Sequence, residues 1–183
     1  MITQQQAADI LLTADRLYSH EEIGQALDRL AVEITGKLSG EDPIVLCVLN
    51  GALIPTGHLL TRLNFPLRQD YVHATRYRGQ TSGAELEWIG RPSTSLQGET
   101  VLIIDDILDE GITLAAIVMA CREAGAKAVY SAVLVEKLHA RGMGYQADFV
   151  GLTVEDRYVF GFGMDYKGYL RNMPGIFAVA ENK

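Results

Sequence analysis

The residues best suited to chemistry lie between Val101 and Thr113, where four apolar residues are followed by paired carboxylates. Asp105 and Asp106 follow the apolar run, Asp109 comes three residues later, and a glycine and a threonine complete the stretch. The apolar run predicts a buried parallel strand. The residues after it predict the start of a helix, whose unpaired amides and dipole favour a phosphate. This order indicates a site for a phosphorylated sugar.

Each polar residue of this stretch has a role that its chemical type allows. The adjacent carboxylates of Asp105 and Asp106 can accept hydrogen bonds from vicinal sugar hydroxyls or bind magnesium through water. We expect them at the strand tip, because burial inside the sheet would cost several kcal/mol for each without partners. Gly111 lets the backbone approach a ligand closely. Thr113 is interpreted as a phosphate ligand, with a helix N-cap as the alternative, and Glu110 is expected to offer only its backbone amide.

Apolar strands and amphipathic helices must position this stretch, and their order predicts one α/β core. Strands are expected at residues 44–49, 66–77, 85–89, 101–104, 128–135, 148–154, 158–162 and 176–179, and helices at residues 3–17, 20–38, 52–63 and 114–124. Ser19 and Glu22 match a capping box at the start of the second helix. Asn50 and Gly51 follow the first of these strands, at the sheet edge where open α/β folds bind their ligands.

A polar, glycine-rich segment at residues 78–83 separates two expected strands. Such a composition does not pack on its own, and we interpret the segment as a flexible lid. The alternative is a surface hairpin tip with no role, because turns often have this composition.

Composition excludes several classes of function. The 183 residues, of which 48% are hydrophobic, fit one packed domain. A formal charge of −7 opposes nucleic acid as a partner, but it allows a small anionic substrate held by local cations or a divalent metal. No apolar run is long enough to span a membrane, and we expect a cytoplasmic protein. Cys47 and Cys121 have no metal-ligand spacing and are expected in the core.

The stretch from Val101 to Thr113 resembles the phosphoribosyl-diphosphate-binding signature of type I phosphoribosyltransferases. In the second half of the chain, the resemblance narrows to the hypoxanthine-guanine phosphoribosyltransferases. The matching segments occur in that family's order and comprise residues 134–137, Arg141, residues 145–151, residues 158–161 and residues 165–166. The similarity extends from about Ile44 to Arg171, which is most of the chain.

This resemblance implies the type I phosphoribosyltransferase fold, with a central, mainly parallel sheet flanked by helices, a small hood subdomain and a lid loop. One domain would span residues 1–183, with a core at about 40–155 and a hood built from both terminal segments. The implied reaction is purine salvage, in which hypoxanthine or guanine takes the 5-phosphoribosyl group and pyrophosphate leaves. The implied cofactor is Mg²⁺, and relatives form homodimers or homotetramers.

The resemblance also implies a role for individual residues. Asp109 would be the catalytic base, Arg76 and Tyr77 would begin the lid, and Asp105, Asp106 and Asp165 would be linked to the metal. The purine would be bound by Lys137 at its 6-oxo group, by stacking on Tyr158, by the backbone of Val159 and by Asp165. The sugar diphosphate would be bound by Asn50, Gly51, Asp105, Asp106, Asp109, Glu110, Gly111, Ile112, Thr113 and Arg171.

Three positions depart from the family pattern. Asn50 stands where many relatives have lysine, Arg76 replaces a serine, and Glu110 replaces a small residue, usually threonine. All three changes affect the phosphate end of the site more than the purine end. Two alternatives stay open: an enzyme of the same fold that prefers xanthine or adenine, and a non-catalytic regulator that senses the sugar diphosphate. The ranking of hypoxanthine, guanine and xanthine is not readable from these residues.

Overall fold

The computed structural model describes residues 2–76, 86–139 and 144–180. Its helices are α1 (Gln4–Thr13), α2 (His20–Leu38), α3 (Leu53–Leu60) and α4 (Ile112–Glu123). Its strands are β1 (Asp15–Tyr18), β2 (Ile44–Leu49), β3 (Arg68–Arg76), β4 (Leu86–Gly90), β5 (Thr100–Leu108), β6 (Ala128–Leu138), β7 (Phe149–Glu155), β8 (Val159–Phe160) and β9 (Ile176–Ala178). None of the helices within the described residues is long and apolar enough to cross a membrane.

The apolar runs of the sequence form a six-stranded sheet in the order β4-β3-β2-β5-β6-β7. Every neighbouring pair is parallel except β3 and β4, which are antiparallel. The expected central, mainly parallel sheet is therefore confirmed. Because β2 and β5 are direct neighbours, their carboxyl ends and the loops after them open on the same edge of the sheet.

Side chains of β5 alternate between two apolar clusters, one on each face of the sheet. Leu102 and Ile104 pack against α2 and α3, while Val101 and Ile103 pack against α4. Burial on both faces explains why this strand has a continuous apolar run instead of alternating polar residues. Both expected core cysteines, Cys47 and Cys121, are buried, each on the α4 side.

Helix α2 forms where its sequence predicts it. The Ser19 hydroxyl accepts from the Glu22 N–H, and the Glu22 carboxylate accepts from the Ser19 N–H, which completes the capping box. Its apolar stripe is buried against the sheet and consists of Ile23, Ala26, Leu27, Leu30, Ile34 and Leu38. Helix α2 therefore covers one face of the main sheet.

A second, three-stranded antiparallel sheet has the order β1-β9-β8 and is built from both terminal segments. The helix expected over residues 3–17 is wrong in its last turn, since α1 ends at Thr13 and the next residues form β1. Ala14 already has an extended backbone, with φ −69° and ψ 144°. Pairing with β9, far away in the sequence, decides the conformation that local spacing leaves ambiguous. The hood assigned to these segments stays a prediction.

Candidate active site

The carboxyl edge of the main sheet holds a cavity of about 300 Å³. Its lining consists of residues 48–51 from the end of β2 and the loop after it, residues 105–114 from β5 into α4, and Asp165 and Arg171 from the segment between β8 and β9. Polar residues of the signature stretch therefore face the same space as two residues more than fifty positions later. Glu110, Gly111, Ile112 and Thr113 all belong to this lining.

The expectation that Asp105 and Asp106 lie at the tip of their strand is wrong. Strand β5 continues through both residues to Leu108, and Asp105 is only 8% exposed. Each carboxylate accepts a backbone N–H from the next residue: Asp106 N–H donates to Asp105 Oδ1 at 2.9 Å, and Ile107 N–H donates to Asp106 Oδ1 at 3.0 Å. These bonds offset part of the desolvation that the strand tip was expected to avoid.

Burial perturbs the ionisation of this pair. It raises the pKa of the Asp105 carboxyl well above the usual range, and the neighbouring charge of Asp106 adds to the rise. Burial also raises the pKa of Asp106, although the hydrogen bond with Asp105 and the Arg171 guanidinium oppose the rise. Perturbed pKa values in a cavity are typical of functional sites, so this pair marks a candidate site.

The helix start behind Asp109 has the geometry of an anion site. Gly111 is the N-cap of α4 with φ +76°, a conformation that favours glycine, and Ala115 N–H donates to the Gly111 carbonyl at 2.9 Å. The N–H groups of residues 112–114 precede that bond and lie at the positive end of the helix dipole. Thr113 is inside the first turn, so its alternative role as the N-cap is wrong.

The loop after β2 approaches the acidic pair closely. The Leu49–Asn50 peptide bond is cis. A side chain at Gly51 would collide with the Asp106 carboxylate, and a side chain at Gly163 would collide with the Gly51 carbonyl. These two glycines allow three chain segments to meet at one side of the cavity.

Asp165 and Arg171 reach the cavity as an ion pair. Arg171 Nη2 lies 2.7 Å from Asp165 Oδ1, and Arg171 Nη1 donates to the Gly163 carbonyl at 2.7 Å. The Gly163 N–H in turn donates to the Arg171 carbonyl at 2.9 Å, which helps to hold the loop in this shape. The guanidinium is therefore oriented beside the acidic pair and offers positive charge for an anionic ligand.

The Asp109 carboxylate contacts Lys137 of β6 and His139, which directly follows β6. Lys137 Nζ donates to Asp109 Oδ2 at 2.9 Å, and His139 Nε2 lies 2.6 Å from Asp109 Oδ1. Burial alone raises the pKa of Asp109, but the hydrogen bonds and charges of Lys137 and His139 outweigh it, so the pKa lies below the usual range. Sequence reasoning missed His139, although its two-residue spacing from Lys137 could have indicated a shared side of the strand.

Asp105, Asp106 and Asp165 all line the cavity and offer carboxylate oxygens, which are the ligands that Mg²⁺ prefers. Within the described residues, one group of three metal-ligand side chains has all its ligand atoms within 4.8 Å of one another, and it consists of Asp109, His139 and Asp156. The Lys137 ammonium already neutralises Asp109, so we interpret that group as a hydrogen-bonded network.

Of the four residues expected to bind the purine, Asp165 belongs to the cavity lining, whereas Lys137, Tyr158 and Val159 do not. Tyr158 is 49% exposed, and its ring lies 5.2 Å from the Tyr166 ring in an edge-to-face arrangement. Val159 is buried in β8 and pairs with Ala178 of β9. Lys137 donates to Asp109, and Asp109 lines the cavity.

The expected lid residues are described only in part. The backbone of Arg76 forms the end of β3. Tyr77 and residues 78–83 lie outside the described residues, as does Arg141 of the resemblance. The role assigned to Arg76 and Tyr77 therefore stays a prediction.

Comparison with protein families gives a match to the phosphoribosyl transferase domain over residues 13–167. A hypoxanthine-guanine phosphoribosyltransferase of Bacillus subtilis (strain 168) is 35% identical over 161 residues, covering 87% of this chain and 89% of that protein. A hypoxanthine-guanine-xanthine phosphoribosyltransferase of Tritrichomonas foetus is 29% identical over 91% of both chains. A solved structure of a Staphylococcus aureus hypoxanthine phosphoribosyltransferase superimposes with a TM-score of 0.87 at 25% identity, covering 98% of this chain and 97% of that chain.

Proposed function

The chain belongs to the phosphoribosyltransferase family, and from this premise we propose that it is a purine-salvage enzyme. It transfers the 5-phosphoribosyl group of 5-phosphoribosyl-1-diphosphate to hypoxanthine or guanine, forming the nucleoside monophosphate and pyrophosphate. The observation that carries this proposal is a single cavity that joins an acidic pair, a helix N-terminus and a guanidinium. Those three groups suit the ribose hydroxyls, the 5′-phosphate and the pyrophosphate of one donor molecule.

The donor is proposed to lie along the signature stretch. Asp105 and Asp106 accept hydrogen bonds from the ribose hydroxyls, and the amides and hydroxyl of residues 110–113 bind the 5′-phosphate. Asn50, Gly51 and Arg171 contact the pyrophosphate. With asparagine at position 50, backbone amides and the Arg171 guanidinium supply the contacts that a lysine provides in many relatives.

Lys137, Tyr158, Val159 and Asp165 are proposed to recognise the base. An ammonium donates hydrogen bonds only, so Lys137 suits the 6-oxo group of hypoxanthine or guanine and disfavours the 6-amino group of adenine. The exposed face of Tyr158 is available for stacking, and the backbone of Val159 is close enough in sequence to meet the Watson–Crick edge of a stacked base. This arrangement distinguishes oxopurines from aminopurines.

Asp109 is the proposed proton acceptor. As N9 of the purine attacks the anomeric carbon, which develops oxocarbenium character when pyrophosphate leaves, N7 loses its proton to the Asp109 carboxylate. In the unliganded site Lys137 keeps the pKa of Asp109 low. Once the ammonium turns to the purine, that pKa rises, and the carboxylate becomes a better base when the proton must move.

Mg²⁺ is the proposed cofactor, held by Asp105, Asp106 and Asp165, and when bound it would neutralise charge on the leaving pyrophosphate. A lid that begins at Arg76 and Tyr77 would keep water from the anomeric carbon. A homodimer or homotetramer and a cytoplasmic location remain part of the proposal. They rest on the resemblance to relatives and on composition.

A steady-state comparison of hypoxanthine, guanine, xanthine and adenine, each with the sugar diphosphate and Mg²⁺, tests the proposal. We expect turnover with the first two bases and none above background with adenine. Preferential turnover of xanthine would favour the xanthine-preferring alternative. Binding of the sugar diphosphate without turnover of any base would favour the regulator and contradict the enzyme.

A further inference from the structure

We propose that His139 is a positioning residue for the reaction proposed above, and this inference rests on that proposed function. His139 holds one oxygen of Asp109, so that the carboxylate keeps its orientation toward the cavity when Lys137 turns to the purine. The residue lies outside the motifs that carry the resemblance, and the two-donor arrangement becomes visible only in the folded chain.

The geometry fixes the carboxylate at both of its oxygens. Leu108 of β5 is paired with Glu136 of β6, so Asp109 follows β5 beside Lys137, and His139 lies two residues further along. Alternate residues of an extended chain project to the same side, which explains why Lys137 and His139 reach the same carboxylate. Lys137 takes Oδ2 at 2.9 Å and His139 takes Oδ1 at 2.6 Å. With one donor alone, the carboxylate could rotate about its Cβ–Cγ bond.

Burial separates His139 from an ordinary surface histidine. Its side chain is 6% exposed, whereas the Asp109 side chain is 39% exposed and lines the cavity. The histidine therefore lies behind the carboxylate and leaves the reactive side open. An ionised carboxylate only accepts hydrogen bonds, so the Nε2 atom carries the proton in this contact.

Both negative and positive groups lie near His139. One carboxylate oxygen of Asp109 and one of Asp156 lie within 4.8 Å of a ring nitrogen of His139, and the Lys137 ammonium also contacts Asp109. When Lys137 donates to the purine, its contribution to Asp109 weakens and His139 becomes the main remaining donor. A near-attack geometry between Asp109 and N7 depends on that hold, because general-base transfer requires hydrogen-bond reach.

The test compares His139→Leu, which removes the donor, with His139→Gln, whose amide N–H can still reach the carboxylate. We expect His139→Leu to lower kcat by roughly ten- to a hundredfold while the KM for the sugar diphosphate changes by less than about twofold. His139→Gln is expected to recover kcat to within about fivefold of the unmutated enzyme. Leu138→Gln, at a neighbouring position 59% exposed to solvent, controls for disturbance of the strand end.

A second readout needs no turnover. In the unliganded protein, carbon-13 NMR of the Asp109 carboxyl should show a higher pKa in His139→Leu than in the unmutated chain, since a donor that lowers it is lost. If all four bases fail with the unmutated protein, the proposed function fails, while this shift still reports whether His139 holds Asp109. Unchanged kcat and unchanged Asp109 pKa in His139→Leu would overturn the positioning role. So would a glutamine variant as impaired as the leucine variant.

Discussion

At the residue scale, Asp109 is distinguished by contacts to both of its carboxylate oxygens and by a side chain that is still partly exposed. Its two oxygens are bound by a lysine and a histidine from the neighbouring strand end, yet more than a third of its side chain remains exposed to the cavity. Asp105, by contrast, is buried and has a raised pKa. The pKa values of two aspartates four positions apart are thus shifted in opposite directions, because Asp105 is buried and has an acidic neighbour whereas Asp109 has cationic partners.

Asp109→Asn is expected to lower kcat by about a hundredfold or more while substrate binding is retained. An amide oxygen still accepts the hydrogen bond from Lys137, but the amide cannot take a proton from N7. Steady-state rates of nucleotide formation measure the effect. Asp28→Asn is the matched control, because Asp28 is an ion-paired aspartate remote from the cavity, 2.7 Å from Arg62. Turnover equal to that of the unmutated enzyme would remove the role of base from Asp109.

At the element scale, the junction of β5 with α4 depends on one glycine. Gly111 has φ +76°, and a Cβ there would lie 3.0 Å from the Cβ of Tyr145, which is closer than ordinary contact. The conformation and the space both oppose a side chain, so a substitution is expected to shift the α4 amides that are proposed to bind the phosphate. Tyr145 in turn donates from its hydroxyl to Ser131 Oγ at 2.8 Å and is held by β6.

Gly111→Ala is therefore expected to raise the KM for the sugar diphosphate by roughly tenfold, since displacing aligned donors by a fraction of an ångström weakens anion binding. Isothermal titration with the sugar diphosphate provides an independent measure. Gly36→Ala in α2 is the control, because a Cβ at that position meets nothing within 4 Å. It should leave the KM unchanged and favour the helix by about 0.5–1 kcal/mol. Equal KM values for both variants would contradict the assigned anion site.

Asp70 connects the start of β3 to the turn at residues 93–94. It is 6% exposed and accepts from Tyr71 N–H at 2.8 Å, from Ser93 N–H at 2.8 Å and from Thr94 N–H at 2.9 Å. Burial raises its pKa, but the hydrogen bonds outweigh burial and the net pKa is lowered. A carboxyl whose folded pKa lies below its unfolded value stabilises the fold above the unfolded pKa. That stability is lost as pH falls through the folded value.

Asp70→Asn is accordingly expected to lower the free energy of unfolding by on the order of 1–3 kcal/mol at pH 7, because an amide replaces a carboxylate that accepts several N–H groups. The difference from the unmutated chain should begin to shrink as pH falls below about 4, the ordinary pKa of an unfolded aspartate, and continue to shrink as pH falls through the lower folded-state pKa. Urea unfolding at a series of pH values measures this dependence. Glu33→Gln, on the exposed face of α2, should show no comparable change. A difference that does not vary with pH would rule out the carboxylate as its cause.

Elements with strong local signals were predicted well. The capping box and apolar stripe of α2 fixed its start and its buried face, and both are confirmed. The end of α1 was predicted wrongly, because the apolar spacing of residues 14–17 fits a short strand as well as a helix turn. Pairing of β1 with β9 decides that case. Strand β5 was predicted too short, since polar residues were taken to end it, whereas its hydrogen bonds to β6 continue to Leu108.

At the scale of the whole molecule, the cavity depends on distant segments. The ends of β2 and β5 with the loops after them, and the segment that carries Asp165 and Arg171, all contribute to its lining. The collision predicted for a side chain at Gly163 with the Gly51 carbonyl shows how closely these parts approach. Ligand that fills the cavity should therefore stabilise the chain as a unit.

Saturating sugar diphosphate with Mg²⁺ is expected to raise the midpoint of thermal unfolding by about 5–10 °C. The reason is linkage, since ligand at a hundred times its Kd adds about 2.7 kcal/mol and a domain of this size shifts by roughly 2–4 °C per kcal/mol. Differential scanning calorimetry measures the shift. Sugar diphosphate with a chelator should give a much smaller one. No shift with donor and metal together would contradict the assignment of this cavity.

The sequence by itself determined the order of chemistry along the chain: a buried strand, an acidic pair, a third carboxylate, and a helix start that favours phosphate. It could do so because apolar periodicity, capping residues and glycine act over a few neighbouring positions. The same local information named Lys137 and Tyr158 through a resemblance of motifs. These local patterns can be recognised without knowing how the rest of the chain packs.

Only the tertiary structure decided how those residues act on one another. The burial of Asp105, the ion pair of Asp165 with Arg171, and the contacts of Asp109 with Lys137 and His139 all depend on strand register and loop packing. His139 is thirty positions from Asp109 in the chain, and no local pattern connects them. Parallel pairing of β5 with β6 brings their carboxyl ends together. The ionisation of the site therefore follows from contacts that local sequence patterns do not specify.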